Sequence, residues 1–376
     1  MDAKATEVFL RFFNDLKDPR RPNVRHVFTD ILTITILAVI CNADDWAEVV
    51  TYATANEAWL KTFLALPRGI PCQDTFRRVF SRINPAAFEV CFINWTAGLA
   101  QASQGRLIAF DGKTLRRSFA HAWEKQMIHL VSAWCVQNQL VLGQLATDAK
   151  SNEITAIPQL LDLLNLQGAI VTIDAMGCQR EIARKIVAGG ADYVLAVKDN
   201  QPTLHAKVKN LLDEAILDSF QDMSRDYCEQ TDGGHGRIET RQVWVTDEVR
   251  WLGKELLDEW EGLSSIAVVQ STRTVGGKVS TERHYVISSL KGCNATLMAG
   301  AIRGHWGIEN KLHWRLDMTF REDESRLHTG HGAENFSRVR RIVVNKLRDD
   351  TEKDSLKTKR YRCSIDRDYL LKKLMT

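Results

Sequence analysis

At 376 residues, with 44% hydrophobic and 26% charged residues, the chain can bury a large core, and its composition excludes an extensively disordered polymer. A formal charge of +3 excludes a uniformly basic coat, so affinity for a polyanion has to come from local clusters. The eight cysteines form no CxxC and no close pair, which excludes a zinc knuckle or thioredoxin-type centre and points to a reduced, cytoplasmic setting.

Residues 1–100 read as a helical, DNA-binding unit, with apolar positions Val8, Leu10, Phe12, Phe13 and Leu16 opening it. The run Phe28 to Ala43 carries Thr29, Asp30, Thr33 and Thr35 and is shorter than the roughly 20 residues a bilayer needs, so it predicts a buried helix and no membrane span. In IPCQDTFRRVFSRI, Asp74 is the expected N-cap and Phe76, Val79, Phe80 and Ile83 share one face. Arg77, Arg78 and Arg82 fill the other face, which either reaches DNA phosphates or is simply solvated.

From about residue 101 the period changes. Strands are expected at Leu107 to Phe110, Ile128 to Val136 and Leu140 to Leu145, then a helix from Ser151 to Leu166 and a strand from Ala169 to Asp174. A helix from Gln179 to Val187, a strand from Tyr193 to Val197 and a helix from Pro202 to Leu217 complete an α/β series with a mixed sheet, an order that fits the ribonuclease H-like fold. Residues 101–219 and 296–348 form the two parts of this core. Between them, residues 220–295 are a β-rich insertion, with Gly276, Gly277 and Lys278 at a hairpin-like turn. The helix Ser337 to Leu347, with Arg338, Arg340, Arg341 and Lys346, is strongly basic, and the basic tail 349–376 is expected to meet phosphates.

Three acids organise the chemistry. Asp111 in LIAFDGKTLRRS and Asp174 in AIVTIDAMGCQ each follow an apolar, β-branched run and are placed at strand ends. Glu309 lies in Ile302 to Arg326, read as one helix, with His305, Glu309 and His313 stacked by four-residue spacing and Trp306, Ile308, Leu312 and Leu316 turned to a core. The acids stand 63 and 135 residues apart, so only a fold can join them. Three carboxylates suit a pair of divalent cations that take hard oxygen ligands and handle phosphodiester transfer. Asp148, Glu153, Asp317, Glu322, Asp323 and Glu324 rival Glu309 as ligands, Asp323 and Glu324 being better placed as charge partners of nearby arginines. A zinc hydrolase using His305 and His313 is disfavoured because no HExxH occurs.

The motifs FINW at Phe92, DGKTLR at Asp111, TDAKSNEITAIPQLL at Thr147, DAMGCQ at Asp174, DYVLAVKDNQ at Asp192, HGRIETR at His235 and HWGIENKLHWRLD at His305 resemble the DDE transposases of the H-repeat-associated group, over almost the whole chain. The resemblance implies a ribonuclease H-like core whose catalytic, metal-binding acids are Asp111, Asp174 and Glu309. It further implies two Mg2+ ions, with Mn2+ able to substitute, a homodimer, and double-stranded DNA as partner, both element ends and target. A nuclease or resolvase without strand transfer, and an inactive DNA-binding remnant, are the alternatives. Related transposases carry Tyr, Arg and Lys around the Glu where this chain has Ile302, His305 and Leu316, which shifts phosphate gripping toward Arg303, His305, His313 or Arg315. Lys113, Arg116, Arg117, Lys198, Asn200, His235 and Arg237 complete the expected DNA contacts, alongside Arg77 and Arg78.

Overall fold

The computed structural model describes residues 11–99, 106–116, 127–147, 153–234, 236–348 and 352–375. The described chain opens with the longer helices α1 (Phe28–Ile40), α2 (Trp46–Ala55), α3 (Gln73–Phe80) and α4 (Pro85–Leu99), besides a 3-10 turn at Arg11–Phe13 and a single helical turn at Glu57–Leu60. Helix α1 is apolar on nearly every side and accordingly buried, with Thr33 and Thr35 donating to their own i−4 carbonyls and Asp30 accepting from the Leu66 amide at 2.9 Å. Asp74 is not the N-cap of α3. The helix begins at Gln73, so Asp74 sits inside its first turn and holds Arg77 at 2.9 Å.

Strands β1 (Leu107–Thr114), β2 (His129–Cys135) and β3 (Leu140–Thr147) form an antiparallel meander. Helix α5 (Glu153–Leu163), β4 (Ile170–Ile173), α6 (Arg180–Ala188), β5 (Asp192–Val197) and α7 (Pro202–Leu217) follow. Strand β4 pairs parallel to both β1 and β5, which gives the order β3-β2-β1-β4-β5 of the ribonuclease H-like fold. The insertion strands β6 (Asp226–Gly234), β7 (Arg237–Thr246), β8 (Ser265–Val275) and β9 (Lys278–Ser288) do not stand apart. Strand β9 pairs antiparallel with β5, so the insertion continues the core as one nine-stranded mixed sheet.

Helices cover both faces. Ile157 and Leu160 of α5, Ile182 and Ile186 of α6 and Leu204 and Val208 of α7 pack on one side. On the other lies α8 (Ala295–Ile308), with Met298 and Ala301 against Leu107, Ile170 and Val194. A five-residue π turn, Glu309–His313, leads into α9 (Trp314–Phe320), which ends at Arg321 in the left-handed region. Then come α10 (Gly332–Arg348), α11 (Leu356–Ile365) and α12 (Arg367–Met375). These last helices share a single apolar core with α1 to α4: Ile31, Phe80 and Phe92 pack in it beside Leu312, Phe336 and Leu370.

That shared core corrects the expectation for part of the basic C-terminal stretch, although Lys357, Arg362, Arg367 and Lys372 stay exposed. Arg338, Arg340, Arg341 and Arg360 are almost wholly buried, and so are Lys346, Lys359 and Lys373. Arg338 meets Glu89 at 2.6 Å, Arg341 meets Glu322 at 2.9 Å, and Arg360 binds the Val39 carbonyl and Asp44. Their partners come from distant stretches, so a run that reads as a solvated cationic face is consumed by internal pairs. Asn345 also closes the sheet edge, its side chain accepting from the Val141 amide at 2.9 Å and donating to the Val141 carbonyl at 2.8 Å, as a neighbouring strand would.

Candidate active site

Asp111 stands where β1 passes from the buried stretch Leu107–Phe110 toward solvent. Asp174 is the first residue after β4. Phe110 and Ile173 are partners in the parallel register, so the two acids emerge one step further along neighbouring strands, about 4.8 Å apart in backbone spacing. Asp174 follows the carboxyl end of β4, whereas Asp111, expected at a strand end, lies inside β1, which runs on to Thr114 along β2. What ends at Phe110 is the parallel pairing with β4, and that edge is where ligands gather in open α/β sheets. Asp174 also caps a 3-10 turn, Ala175–Gly177, its Oδ1 accepting from the amides of Met176 at 3.0 Å and Gly177 at 3.3 Å.

Glu309 comes near Asp111 because α8 lies close on the sheet. A Cβ at Gly304 would fall 2.2 Å from the Leu107 side chain, so glycine permits the approach of α8 to β1. The chain then widens into the π turn, a form frequent at functional sites. This departs from the single regular helix expected for Ile302 to Arg326. His313 Nδ1 comes to 3.4 Å from Asp111 Oδ2 and 3.8 Å from Glu309 Oε2, and one ligand atom from each of the three residues lies within 4.8 Å of the others.

The three-residue stack does not form as anticipated. His305 faces the sheet instead, with Nδ1 3.2 Å from Thr172 Oγ1, and burial pushes its pKa down to about 4. His305 is half-buried against the sheet. The sheet-facing stripe of α8 runs through Met298, Ala301, His305 and Ile308, which leaves Trp306 about 100° around the helix and 62% exposed rather than in the core. Ile308, Leu312 and Leu316 are buried as anticipated.

The electrostatics are those of crowded acids. Burial pushes Asp111 up to about 6; His313 and the Gly112 amide oppose this, while Glu153 and Asp174 add to it. Asp174 is also raised, first by burial and then by Glu153, against the Gly177 and Met176 amides and Lys198. Glu309 is lowered, chiefly by the neighbouring His313. Oxygen-rich, partly desolvated and anion-heavy, this donor set fits a hard divalent cation of the Mg2+ or Mn2+ type.

The expected DNA-contacting residues divide into several groups. Arg77, Arg78, Lys198, Asn200, Arg237 and Arg303 are exposed, and Arg315 is half-buried. Lys198 lies close enough to Asp174 to affect its charge, and Asn200 donates to the Ala175 carbonyl at 2.6 Å, so both border the acid pair. Arg303 is tied to Asp232 of β6 at 2.6 Å. Lys113 is a correction: it is 7% exposed and enclosed by Asp317, Asp323 and Glu322, so its charge is spent inside the protein. His313 is likewise buried between two acids rather than presented to a phosphate. Arg116 remains 79% exposed although it meets Asp323 at 3.2 Å. Arg117, His235 and Asp148 lie outside the described residues.

Among the rival acids, Glu322 is held by Arg341 and Ser337, and Asp317 by Lys113. Asp323 pairs with Lys113 and Arg116, and Glu324 with Arg321, as charge partners. Among the described rivals, Glu153 is the one that affects both Asp111 and Asp174. His129, which contacts it, belongs to no motif of the sequence. The signal available was the alternation of β2, which places His129 beside Thr114 of the DGKT stretch.

Strand order and appended helices define a ribonuclease H-like protein with a helical unit at its start. The chain belongs to the transposase DDE domain family, whose model matches residues 102–346, and the DDE_Tnp_1-associated model matches residues 10–96. It is 40% identical over 356 residues to "H repeat-associated putative transposase YhhI" of Escherichia coli K12, covering 92% of each chain. It is similar to the same extent to "Putative protein YbfL" of that strain. "Putative transposase YncI" of Escherichia coli O157:H7 is 41% identical over 92% of this chain and 89% of its own. Among solved structures, a piggyBac transposase synaptic complex with hairpin DNA aligns with a TM-score of 0.46 at 12% identity, over 99% of this chain and 82% of that one. No helix among the described residues is long and apolar enough to cross a membrane.

Proposed function

We propose that this protein is an active DNA transposase that nicks DNA at the ends of an insertion sequence and joins the freed 3′ ends to target DNA. Asp111, Asp174 and Glu309 are its catalytic acids and hold two Mg2+ ions, for which Mn2+ can substitute. What supports this reading is that Asp111 of β1 lies in one ligand-sized group with Glu309 and His313 of the π turn, while Asp174 emerges beside Asp111 at the end of the neighbouring strand β4. Bound there, divalent cations supply Lewis acidity at the scissile phosphate and make water or a 3′-hydroxyl a better nucleophile.

The chain's own residues do the rest. Asp111 and Asp174 present oxygens from a rigid sheet, and His313 keeps the Glu309 carboxylate turned toward Asp111. Lys198, an exposed cation beside Asp174, and the exposed Arg116 two residues after DGKT are able to hold the DNA backbone. Two ends have to be cut and joined in register, so a homodimer on double-stranded DNA is the working unit.

The test uses full-length protein and DNA carrying the sequences that flank its own gene. Magnesium-dependent nicks at defined positions, followed by joining of 3′ ends to a target plasmid, are expected. Cleavage without joining identifies a nuclease instead, and cleavage that survives Asp111→Asn or Asp174→Asn removes those residues from the mechanism.

A further inference from the structure

The two edges of the nine-stranded sheet are finished differently. At the β3 edge the side chain of Asn345 takes the place of a neighbouring strand at Val141. At the other edge lies β6, nine residues long and, among the described strands, paired only to β7. Sheet edges are ordinarily blunted by lysine, proline, a bulge or a covering segment, because unpaired amides and carbonyls invite a further strand. Strand β6, DYCEQTDGG, has no lysine and no proline, and its register to β7 runs without a shift from Asp226–Val245 to Gly234–Arg237.

The turn fixes which groups point outward. Two residues separate the partners Gly234 and Arg237, so this closing pair exchanges both of its backbone bonds, and bonded and non-bonded pairs alternate from there. Cys228, Gln230, Asp232 and Gly234 therefore bond to β7, whereas Tyr227, Glu229, Thr231 and Gly233 turn their amides and carbonyls to the open side. The Tyr227 amide accordingly donates to its neighbour Asp226 Oδ1 at 2.9 Å. Among the described residues, no backbone hydrogen bond outside the β6–β7 ladder reaches Glu229, Thr231 or Gly233.

We infer that β6 pairs antiparallel with β6 of a second copy of this chain, about a two-fold axis at Gln230. The strand's own sequence selects that alignment. It brings the whole of β6 into register and sets outward residue against outward residue, with Tyr227 facing the partner's Gly233. The three acids meet none of their own kind: Asp226 falls opposite the partner's Gly234, Glu229 opposite the partner's Thr231, and Asp232 opposite the partner's Cys228. An axis at Glu229 would set Glu229 against itself and Asp226 against Asp232, and like charges directly opposite are destabilising. An axis at Thr231 would leave Asp226 and Tyr227 unpaired. The two Glu229 side chains lie on a diagonal, where each already accepts from the Tyr227 hydroxyl and the Gln242 side-chain amide. Tyr227 is 43% exposed although its ring lies 5.2 Å from that of Trp244, and open space surrounds Gly233. Placed opposite each other, the ring covers bare backbone, a pairing that compensates glycine at a sheet edge. This is strand addition between identical edges, in which main-chain bonds supply affinity and alternate side chains supply register. It needs neither DNA nor the acids of the proposed site, so cleavage is not its readout.

The experiment is sedimentation equilibrium of the full-length protein without DNA, with thermal melting of each variant to check the fold. A concentration-dependent monomer–dimer equilibrium is expected. Thr231→Pro deletes an outward N–H and nothing of the β7 ladder, so it is expected to give a folded monomer. Should it fail to fold, two surface substitutions carry the test. Thr231→Lys sets a cation opposite the partner's Glu229 and is expected to tighten the dimer by about fivefold at low salt, whereas Thr231→Glu sets an acid there and is expected to weaken it by about fivefold. Both shifts are expected to fade in about 1 M salt. A lysine at an edge discourages pairing in general, so opposite signs are the mark of this alignment. A protein that stays monomeric at every attainable concentration overturns the inference, as does a dimer that folded Thr231→Pro leaves intact or that both charges shift in the same direction. None of these outcomes bears on the proposed cleavage, which stands or falls in the nicking assay.

Discussion

Two buried carboxylates on the same chain behave in opposite ways. Glu322 is fully withdrawn from water, and burial alone would raise it, yet Arg341, Arg340 and Lys113 hold it at about 2. Asp111, also largely buried, is pushed up to about 6, with other acids for neighbours and only His313 and an amide opposing. Between them runs Lys113, which rises from the DGKT stretch into the Glu322 network. The contrast separates an acid paired inside the protein from the one to which the proposed mechanism assigns a metal ion. Where cations are built in, a carboxylate locks helices together; where they are withheld, it stays without an internal counterion.

The largest expected effects fall on the functional side. Asp111→Asn, Asp174→Asn and Glu309→Gln should each leave less than about a thousandth of magnesium-dependent cleavage in a plasmid or oligonucleotide assay. On the structural side, Glu322→Ala strands Arg341 without its carboxylate. It should cost about 3–5 kcal/mol in urea unfolding, and variants that lose little would place the network outside the cooperative core.

The pH dependence sharpens the contrast, because the two acids have opposite signs. Glu322 has a depressed pKa, so its contribution is present above its ordinary 4.5 and is lost as pH falls toward about 2. Asp111 has a raised pKa, so the native state holds its proton more tightly, and stability declines as pH rises from its ordinary 3.8 through about 6. In chelator-treated protein above pH 6, Asp111→Asn should therefore be more stable than wild type by about 1–3 kcal/mol, an advantage that shrinks toward pH 4. Smallest is Arg303→Ala. Its pair with Asp232 is exposed, so unfolding should change by less than about 1 kcal/mol.

The sheet was legible because its strands announce themselves by apolar, β-branched runs, and the acids were legible because two of them close such runs. The π turn was not. His305, Glu309 and His313 have ordinary α-helical spacing, and only the packing of Gly304 on Leu107 and the anchoring of Ile308 and Leu312 decide which side chains reach Asp111. The buried arginines were hidden for a similar reason: Arg338 finds Glu89 249 residues away, a distance at which local charge patterns say nothing. Sequence periodicity assigned faces to helices, but the choice of which face the fold would bury belonged to partners elsewhere in the chain.

The most direct test of the central claim is anomalous diffraction from crystals of the full-length protein soaked in Mn2+. The account predicts manganese peaks within bonding distance of Asp111, Asp174 and Glu309 oxygens at the carboxyl edge of β1 and β4. A well-occupied manganese site elsewhere, with those three side chains apart and unliganded, would contradict it.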